Sequence, residues 1–434
     1  MIKIENQDLV KDLLCFINQS PTAFQVVENS SKILLKNGYQ ELQLSSPWYL
    51  RQNRKYFVRK NNSALVAFIT GSNKMIESGY RIIAAHTDSP GLKIKPAPEI
   101  IEEKKYLKLN TEVYGGPILN TWFDRPLALA GRLSYLGENP LKPSSRLVNI
   151  NKPLFIIPNL AIHMKSGEAK LDRQKHLLPL CTIADEGLVK EDFLISLLSH
   201  ESGIKANKII DFELFLYEYK SAEIMGLNNE LISAGRLDDL AMVHASLNSL
   251  LNAEPNDAVL MMVLFDNEEI GSRTKQGADS PFLANILERI TLNLGFSREE
   301  FFCSLANSFM VSADMAHALH PNYPEKSDPT NKNYLNGGPV IKLSANCRYT
   351  SDSDSTAVCK HLCRKADIPY QIFVNHSGLR GGSTIGPLSA SQLDIRAVDI
   401  GNPLLAMHSI RELAGVNDHL YICRLFETFY NISE

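Results

Sequence analysis

The sequence Tyr80-Arg81-Ile82-Ile83-Ala84-Ala85 is a mostly apolar run that ends abruptly on His86-Thr87-Asp88. Two later runs end in the same manner: residues 258–265 lead into Asp266-Asn267-Glu268-Glu269, and residues 309–313 lead into Asp314. Apolar runs that alternate with helical patterns predict a mainly parallel α/β sheet. Ligands of open α/β sheets bind beyond the carboxyl ends of the strands. The three polar ends therefore predict one shared site.

The side chains at these ends are of the kinds that bind metal. Histidine and carboxylates are the ligands of a zinc site without thiolates, and all seven cysteines lie outside these segments. Asp238 comes just before a predicted helix over 239–251, so it can project into the same site. Taken singly, a His-x-Asp pair, an acidic pair or a lone aspartate is more often a cap or a solvated group. Their convergence, with no Lys or Arg partner expected nearby, favours metal, and the number of carboxylates suggests two ions.

The positions of the acids suggest different roles for them. An aspartate in a tight turn, such as Asp238, suits the position that bridges two ions. Glu268 and Glu269 are consecutive and point in different directions, so one can bind metal while the other faces the reacting water. Asp88, two residues after His86, is placed to orient the imidazole rather than to bind metal.

Composition narrows the class of protein. The chain has 434 residues, with 45 Lys and Arg against 48 Asp and Glu, and a formal net charge of −3. This balance argues against nucleic-acid and polybasic membrane-binding proteins. The apolar runs are far shorter than the roughly 20 residues of a transmembrane helix, and the first residues lack the pattern of a signal peptide. Because the cysteines are scattered and odd in number, we expect reduced thiols and a cytoplasmic protein without nucleic-acid or membrane partners.

The pattern of elements changes twice along the chain. Residues 1–94 and 232–434 alternate helical and strand patterns, whereas 95–231 is rich in strand-like segments separated by turns. We therefore predict an α/β fold in which a catalytic domain (1–94 and 232–434) has a mixed, mainly parallel sheet flanked by helices. The stretch 95–231 is predicted to be an inserted β-rich domain that contributes none of the metal ligands.

Further motifs extend over nearly the whole chain in a fixed order. They are Ser20-Pro21-Thr22, His86-Thr87-Asp88-Ser89-Pro90, Gly235-Arg236-Leu237-Asp238, Asp266-Asn267-Glu268-Glu269-Ile270-Gly271-Ser272, Ser312-Ala313-Asp314-Met315-Ala316-His317, Gly338-Pro339-Val340-Ile341-Lys342, Gly382-Ser383-Thr384-Ile385-Gly386-Pro387 and Ala406-Met407-His408-Ser409-Ile410-Arg411-Glu412. In these motifs the chain closely resembles the aspartyl aminopeptidase family of dinuclear-zinc metallo-aminopeptidases, which includes a vacuolar aminopeptidase branch. The resemblance implies a metal-dependent aminopeptidase.

The resemblance also implies a set of metal ligands for two Zn²⁺ ions per subunit, with Mn²⁺ or Co²⁺ able to substitute. The ligands are Asp238 as the bridge, Glu269 and His408 on one ion, and His86 and Asp314 on the other. It makes Glu268 the general base. His408 is supplied by the resemblance alone, because residues 404–413 are otherwise typical of an amphipathic helix.

Substrate contacts and assembly are implied in the same way. The family pattern places His317, Lys342 and Tyr349 at the peptide substrate, and a lysine there would pair with an acidic first residue. It makes the β-rich insertion an assembly domain that builds dimers and, from them, a tetrahedral homo-dodecamer. His163 of this insertion is implied to reach the active site of a neighbouring subunit.

Three alternatives stay open from the sequence. A branch of the same family prefers neutral N-terminal residues, and related two-metal carboxypeptidases or deacylases share the His-x-Asp and Glu-Glu pattern. A catalytically silent scaffold of the same fold is the alternative that is not an enzyme. The intact set of ligands and Glu268 argues against that scaffold.

Overall fold

The computed structural model describes residues 7–164, 170–184, 193–379 and 381–432. The protein is of mixed α/β class, which confirms the predicted fold class. It divides into two compact units. The first comprises the described parts of Met1–Asp88, Ala222–Met407 and Glu412–Glu434, and the second those of Ser89–Ser221 and His408–Arg411. The second unit begins six residues before the predicted boundary at 95, and its long segment ends ten residues before the predicted boundary at 231.

Strands and helices alternate through most of the described chain. The strands are β1 (Gln40–Glu41), β2 (Lys55–Lys60), β3 (Ala64–Ile69), β4 (Tyr80–His86), β5 (Gly91–Glu102), β6 (Tyr106–Tyr114), β7 (Leu127–Asn139), β8 (Lys142–Phe155), β9 (Leu180–Ile183), β10 (Ile209–Glu218), β11 (Glu223–Met225), β12 (Leu231–Ala234), β13 (Val259–Phe265), β14 (Phe309–Ala313), β15 (Ala316–His317), β16 (Val340–Leu343), β17 (Gln371–Val374), β18 (Arg396–Gly401), β19 (Pro403–Leu405) and β20 (Glu412–Gly415). The helices are α1 (Gln7–Gln19), α2 (Ala23–Lys36), α3 (Met75–Ser78), α4 (Phe193–Ser202), α5 (Leu237–Leu251), α6 (Phe282–Asn293), α7 (Arg298–Ala306), α8 (Ser353–Lys365), α9 (Ile385–Leu393) and α10 (Val416–Tyr430).

The first unit is built around a nine-stranded sheet in the order β1-β2-β3-β13-β4-β14-β18-β16-β17. Its central strands β13, β4, β14 and β18 are mutually parallel. Antiparallel pairs occur where β3 joins β2 and β13, and where β16 joins β18. The sheet is therefore mixed and mainly parallel, as the sequence predicted.

The continuous apolar runs follow from burial of this sheet on both faces. Every residue of β4 and of β13 is buried. Because successive side chains of a strand point to opposite faces, Ile83 and Ala85 pack in the core with α1, α2, α5 and α10, whereas Ile82 and Ala84 pack with α6 and α7. Strands covered on both faces are apolar throughout rather than alternating.

A smaller sheet of the first unit was not predicted. Its five strands have the order β11-β12-β20-β19-β15. The helix predicted over 404–413 is wrong, because β19 and β20 occupy its two ends as an antiparallel pair. The apolar residues whose spacing suggested a helix belong to these two strands, in which Leu404 lies opposite Ala414 and Leu405 lies opposite Leu413.

The second unit has an antiparallel sheet of six strands in the order β8-β7-β10-β5-β6-β9. Helix α4 contributes Leu194 and Leu198 to the same core as Leu92, Leu129 and Leu214 of the sheet. The β-rich character predicted for this part of the chain is thus present. Among the described residues, the helices are too short or too polar to cross a membrane.

Candidate metal centre

The three predicted strand ends lie side by side. Strand β4 pairs in parallel with β13 on one side, where His86 is opposite Phe265, and with β14 on the other. Asn267 then adopts the left-handed conformation, with φ of 64°, at the start of a short turn over Glu268–Ile270. Because the strands are parallel and adjacent, His86, this turn and Asp314 come to the same edge of the sheet.

Helix α5 supplies two aspartates to this edge from its first turn. The backbone of Asp238 and Asp239 departs from helical geometry, with ψ of 104° and 22°, and the peptide bond between them is cis. Both side chains are buried. The backbone N–H of Asp238 donates to Oε2 of Glu412 at 3.1 Å, and the backbone N–H of His86 donates to Oδ2 of Asp239 at 3.1 Å. These bonds fix the start of α5 against the end of β4.

Imidazole and carboxylate groups converge on one another here. Nε2 of His86 lies 3.4 Å from Oδ1 of Asp238 and 3.9 Å from Oδ1 of Asp314. With Asp239 these form a buried group whose possible ligand atoms lie within 4.8 Å of one another, and His86 forms a second such group with Glu268 and Glu269. Oδ1 of Asp239 is buried and has no hydrogen-bond partner among the described residues. Carboxylate and imidazole donors without thiolates fit a zinc centre.

Asp88 contacts these residues without belonging to either group. Its Oδ1 accepts the backbone N–H of Glu268 at 3.1 Å, and its Oδ2 accepts the backbone N–H of Glu269 at 3.2 Å. Nδ1 of His86 lies 3.0 Å from the carbonyl oxygen of Asp88 and 3.4 Å from its Oδ1. Because Nδ1 faces Asp88, Nε2 is left to face the other carboxylates. Partners of this kind orient metal ligands.

The crowding of acids has a clear electrostatic effect. Burial, with repulsion from neighbouring carboxylates, raises the pKa of Glu268 to about 8 and raises the pKa of Glu269 and of Asp239 well above the usual range. Burial alone would lower the pKa of His86, but Asp239 and the other nearby carboxylates outweigh it and raise that pKa well above 6.5. All of these shifts favour neutral acids and a charged imidazole, and a bound cation acts in the opposite direction.

The expectation that no basic side chain lies near these acids is wrong. Nζ of Lys342, on β16, lies 3.2 Å from Oδ2 of Asp314, and Lys342 is only 3% exposed. Burial acts to lower the pKa of Lys342, but the negative charge of Asp314 outweighs it and raises the pKa. Strand β16 reaches the sheet by pairing antiparallel to β18, so spacing along the chain gave no sign of this contact.

Two of the three predicted substrate residues lie beside the ring of Phe373, and the third lies beside one of these two. The rings of His317 and Tyr349 have centroids 6.0 Å and 6.2 Å from that of Phe373. Nζ of Lys342 lies 5.6 Å from the centre of the Tyr349 ring. Lys342 therefore connects this aromatic group to Asp314. Contact of these residues with a substrate stays a prediction.

Two predicted site residues belong to the second unit. His408 has a φ of 67°, and its Nδ1 lies 3.1 Å from the carbonyl oxygen of Gly116. His163 lies in a short turn over Ile162–Met164 and is exposed. The role of His408 as a metal ligand and that of His163 at the active site of a neighbouring subunit stay predictions.

Sequence reasoning missed two residues of the centre. The sequence predicts Asp239 only as the start of a helix, although a second acid directly after Asp238 is a visible signal. Glu412 gave no signal of its own, because its contact with the backbone of Asp238 joins residues far apart in the chain.

A mixed α/β sheet with buried imidazole and carboxylate donors at its strand ends fits a zinc-dependent hydrolase. The chain belongs to the M18 family, because the family described as "Aminopeptidase I zinc metalloprotease (M18)" matches residues 16–430. A probable M18 family aminopeptidase 2 of Clostridium novyi is 54% identical over 424 residues, which cover 97% of this chain and 98% of that relative. The family resemblance and the assignment as a zinc metallo-aminopeptidase are thereby confirmed.

Solved structures of relatives have the same fold over nearly the whole chain. Ape4, solved in a complex with Nbr1, matches with a TM-score of 0.92 and 37% identity, covering 97% of this chain and 85% of that one. The mApe1 dodecamer of S. cerevisiae matches with a TM-score of 0.86 and 28% identity, covering 98% and 96%. The predicted mixed sheet flanked by helices is thus the fold of these aminopeptidases.

Proposed function

We propose that this M18 aminopeptidase binds two zinc ions per subunit and uses Glu268 as the general base to release acidic N-terminal residues from peptides. The observation that supports the proposal most is the pair of ligand groups that share His86. One group contains Asp314 and the other contains Glu269, and the family resemblance assigns these two acids to different ions. Burying so many acids together is costly unless cations compensate their charge.

The proposed ligands are those of the family pattern: His86, Asp238, Glu269, Asp314 and His408. Zinc held by these residues would polarise the scissile carbonyl group and lower the pKa of a water molecule. Asp238 is suited to a bridging role, because it lies in the turn where α5 begins and its Oδ1 is close to Nε2 of His86. Asp88 holds His86 and the backbone of both glutamates in place.

Glu268 is the proposed proton carrier. It would accept the proton of the attacking water and return it to the leaving amine, a transfer typically worth about 10²- to 10⁴-fold in rate. In the absence of metal, burial and the neighbouring carboxylates raise its pKa to about 8, and bound zinc would lower it again, which favours the ionised form that accepts the proton. The hydrogen bond from its backbone N–H to Asp88 fixes the turn from which its side chain extends.

Preference for Asp or Glu at the first position is supported by Lys342, which supplies a buried positive charge beside Tyr349 and His317. One observation favours the alternative of a neutral preference. Lys342 already has a close negative partner in Asp314, so an acidic substrate would have to share its charge. Bound zinc would in turn compete for that carboxylate, which would leave Lys342 to the substrate.

A homo-oligomer, and in particular a tetrahedral dodecamer built from dimers, is proposed by analogy with the mApe1 dodecamer. The turn around His163 supports an assembly surface, because its neighbours Ile162 and Met164 are 73% and 70% exposed. Exposed apolar side chains in a group are typical of protein–protein contacts.

The test is to assay aspartyl, glutamyl and leucyl amide substrates with the purified protein, after chelation, and after adding back Zn²⁺, Mn²⁺ or Co²⁺. We expect chelation to abolish hydrolysis, zinc to restore it, and the acidic substrates to be cleaved faster. Faster cleavage of the leucyl substrate would establish the neutral preference instead. Absence of hydrolysis under every metal condition would refute the proposed activity.

A further inference from the structure

Asp399 is a buried acid that the proposed mechanism does not use. It lies on β18, opposite Ser312 of β14, and its exposure is 0%. Its Oδ1 accepts hydrogen bonds from the hydroxyl groups of Ser312 and Thr384, each at 2.6 Å, and its Oδ2 accepts the backbone N–H of Thr350 at 2.6 Å. One carboxylate therefore joins three separate segments of the first unit. Ser312 is two residues before the metal-centre residue Asp314.

The start of α9 is fitted to this carboxylate. Thr384 is the N-cap residue of α9, yet its hydroxyl group bonds to Asp399 rather than to its own helix. At Gly386, in the first turn, an added Cβ atom would come within 2.5 Å of Oδ2 of Asp399. Glycine is thus required for the close approach of the helix to the acid.

The segment that carries Tyr349 is held by the same residue. Besides the bond from Thr350, the backbone N–H of Asp399 donates to Oγ of Ser351 at 2.8 Å. Tyr349 directly precedes these two residues, and its ring faces Nζ of Lys342 at 5.6 Å. Lys342 in turn contacts Asp314. The position of Tyr349 relative to Lys342 therefore depends on bonds made by Asp399.

We propose that Asp399 is a positioning residue that sets the selectivity for the N-terminal side chain, by holding Tyr349 against Lys342. The proposal rests on the proposed function, in which Lys342 and Tyr349 contact the substrate. Asp399 itself touches neither substrate nor metal in this scheme. It acts through the two chain segments that it binds.

A purely structural role predicts a different kinetic result. A residue that only stabilises the fold changes the fraction of active enzyme, which lowers kcat equally for all substrates and leaves KM unchanged. A residue that positions the pocket changes KM and the ratio of kcat/KM between aspartyl and leucyl amides. That ratio is independent of the amount of active enzyme, so it separates the two roles.

The experiment compares the zinc-loaded enzyme with Asp399→Ala, Asp399→Asn, Thr384→Val and Thr384→Ser. Asp399→Ala removes all three bonds, and Thr384→Val removes one hydroxyl group at constant shape. We expect each to change the aspartyl-to-leucyl ratio by about tenfold or more, the scale of one hydrogen bond to a charged group, with zinc content unchanged. Asp399→Asn and Thr384→Ser are the conservative variants. The amide of Asp399→Asn can still accept from Thr350 and donate to the hydroxyl groups, and Thr384→Ser keeps the hydroxyl group. They should restore the wild-type ratio to within about threefold.

Each outcome decides the matter. An unchanged ratio and KM in Asp399→Ala and Thr384→Val would overturn the proposal, and if Asp399→Ala does not fold, Thr384→Val carries the test. If the wild type prefers leucyl substrates, the proposed acidic preference fails, but a changed ratio in the variants still supports a positioning role. A wild type without turnover on any substrate overturns both.

Discussion

Replacing Asp88 by asparagine tests how the metal centre is held together. The two carboxylate oxygens of Asp88 each accept one backbone N–H, from Glu268 at 3.1 Å and from Glu269 at 3.2 Å. Asparagine offers one oxygen and one NH₂ group, so in either orientation an NH₂ group faces a backbone N–H. One hydrogen bond to a charged acceptor is therefore lost, whichever way the amide lies. The variant keeps the size of the side chain, so packing is not disturbed.

The magnitude follows from that single bond. A hydrogen bond to a charged group contributes about 1.5–3 kcal/mol, which corresponds to roughly 10- to 150-fold in an equilibrium or rate constant. Because the lost bond positions Glu268 and Glu269, we expect Asp88→Asn to lower both kcat and zinc affinity by a factor in this range. The assays are steady-state kinetics at saturating zinc and zinc titration against a competing chelator. Wild-type kcat and wild-type zinc affinity in Asp88→Asn would refute this account of the turn.

Asp418 provides a matched control. It is fully buried and also accepts one backbone N–H at each oxygen, from Gly338 at 2.8 Å and from Asn336 at 2.6 Å. Asp418→Asn makes the same chemical change without touching a proposed ligand. We expect Asp418→Asn to lower the free energy of unfolding, measured in urea, by about 1.5–3 kcal/mol, the same amount that one such hydrogen bond contributes. Its zinc affinity should stay at the wild-type value. A comparable loss of zinc affinity in both variants would mean that Asp88 acts through general stability.

Glu268→Gln should keep the zinc content and assembly of the wild type but lose nearly all turnover, because it removes the proposed base. Metal analysis, size-exclusion chromatography and measurement of kcat test this prediction. Full activity would refute it. His163→Ala should lower kcat without lowering zinc content, whereas unchanged kinetics would make His163 an ordinary exposed residue. Burial, with the nearby His244, lowers the pKa of His419 well below 6.5. Below pH 6.5 the unfolded chain therefore takes up a proton at His419 that the folded chain does not. This residue alone lowers the free energy of unfolding by up to about 1.4 kcal/mol for each unit by which the pH falls, in addition to the contributions of other groups. His419→Gln should remove that contribution to the slope in urea unfolding, and an unchanged slope would contradict the assignment.

The sequence predicted the central sheet because its signals were local. Residues 80–85, 258–265 and 309–313 are buried on both faces and thus mostly apolar, and each run ends in polar residues at the edge where ligands bind. The parallel order of β13, β4 and β14 follows from the alternation of strands with helices. The sequence alone therefore suffices to group His86, Glu268, Glu269 and Asp314.

Contacts between distant segments could not be predicted in this way. Strands β19 and β20 are short and carry their apolar residues at a spacing that also suits a helix, so pairing with β12 and with each other decided between the two. The family resemblance places Lys342 at the substrate, but nothing in its neighbourhood along the chain indicates its contact with Asp314. Such contacts depend on the order of strands in the sheet, which no local pattern specifies.

The contact between Lys342 and Asp314 changes the charge balance inferred from the sequence. One lysine can compensate one carboxylate, yet Asp238, Asp239 and the Glu268–Glu269 pair remain close to the same imidazole. Burial of several neighbouring carboxylates costs several kcal/mol each, and the raised pKa values of Glu268, Glu269 and Asp239 indicate that protonation relieves the cost in the absence of metal. Dications offer a second way to relieve it, with Lys342 keeping one carboxylate ionised beside them. The net charge of −3 for the whole chain thus conceals a local excess of acids that suits bound cations.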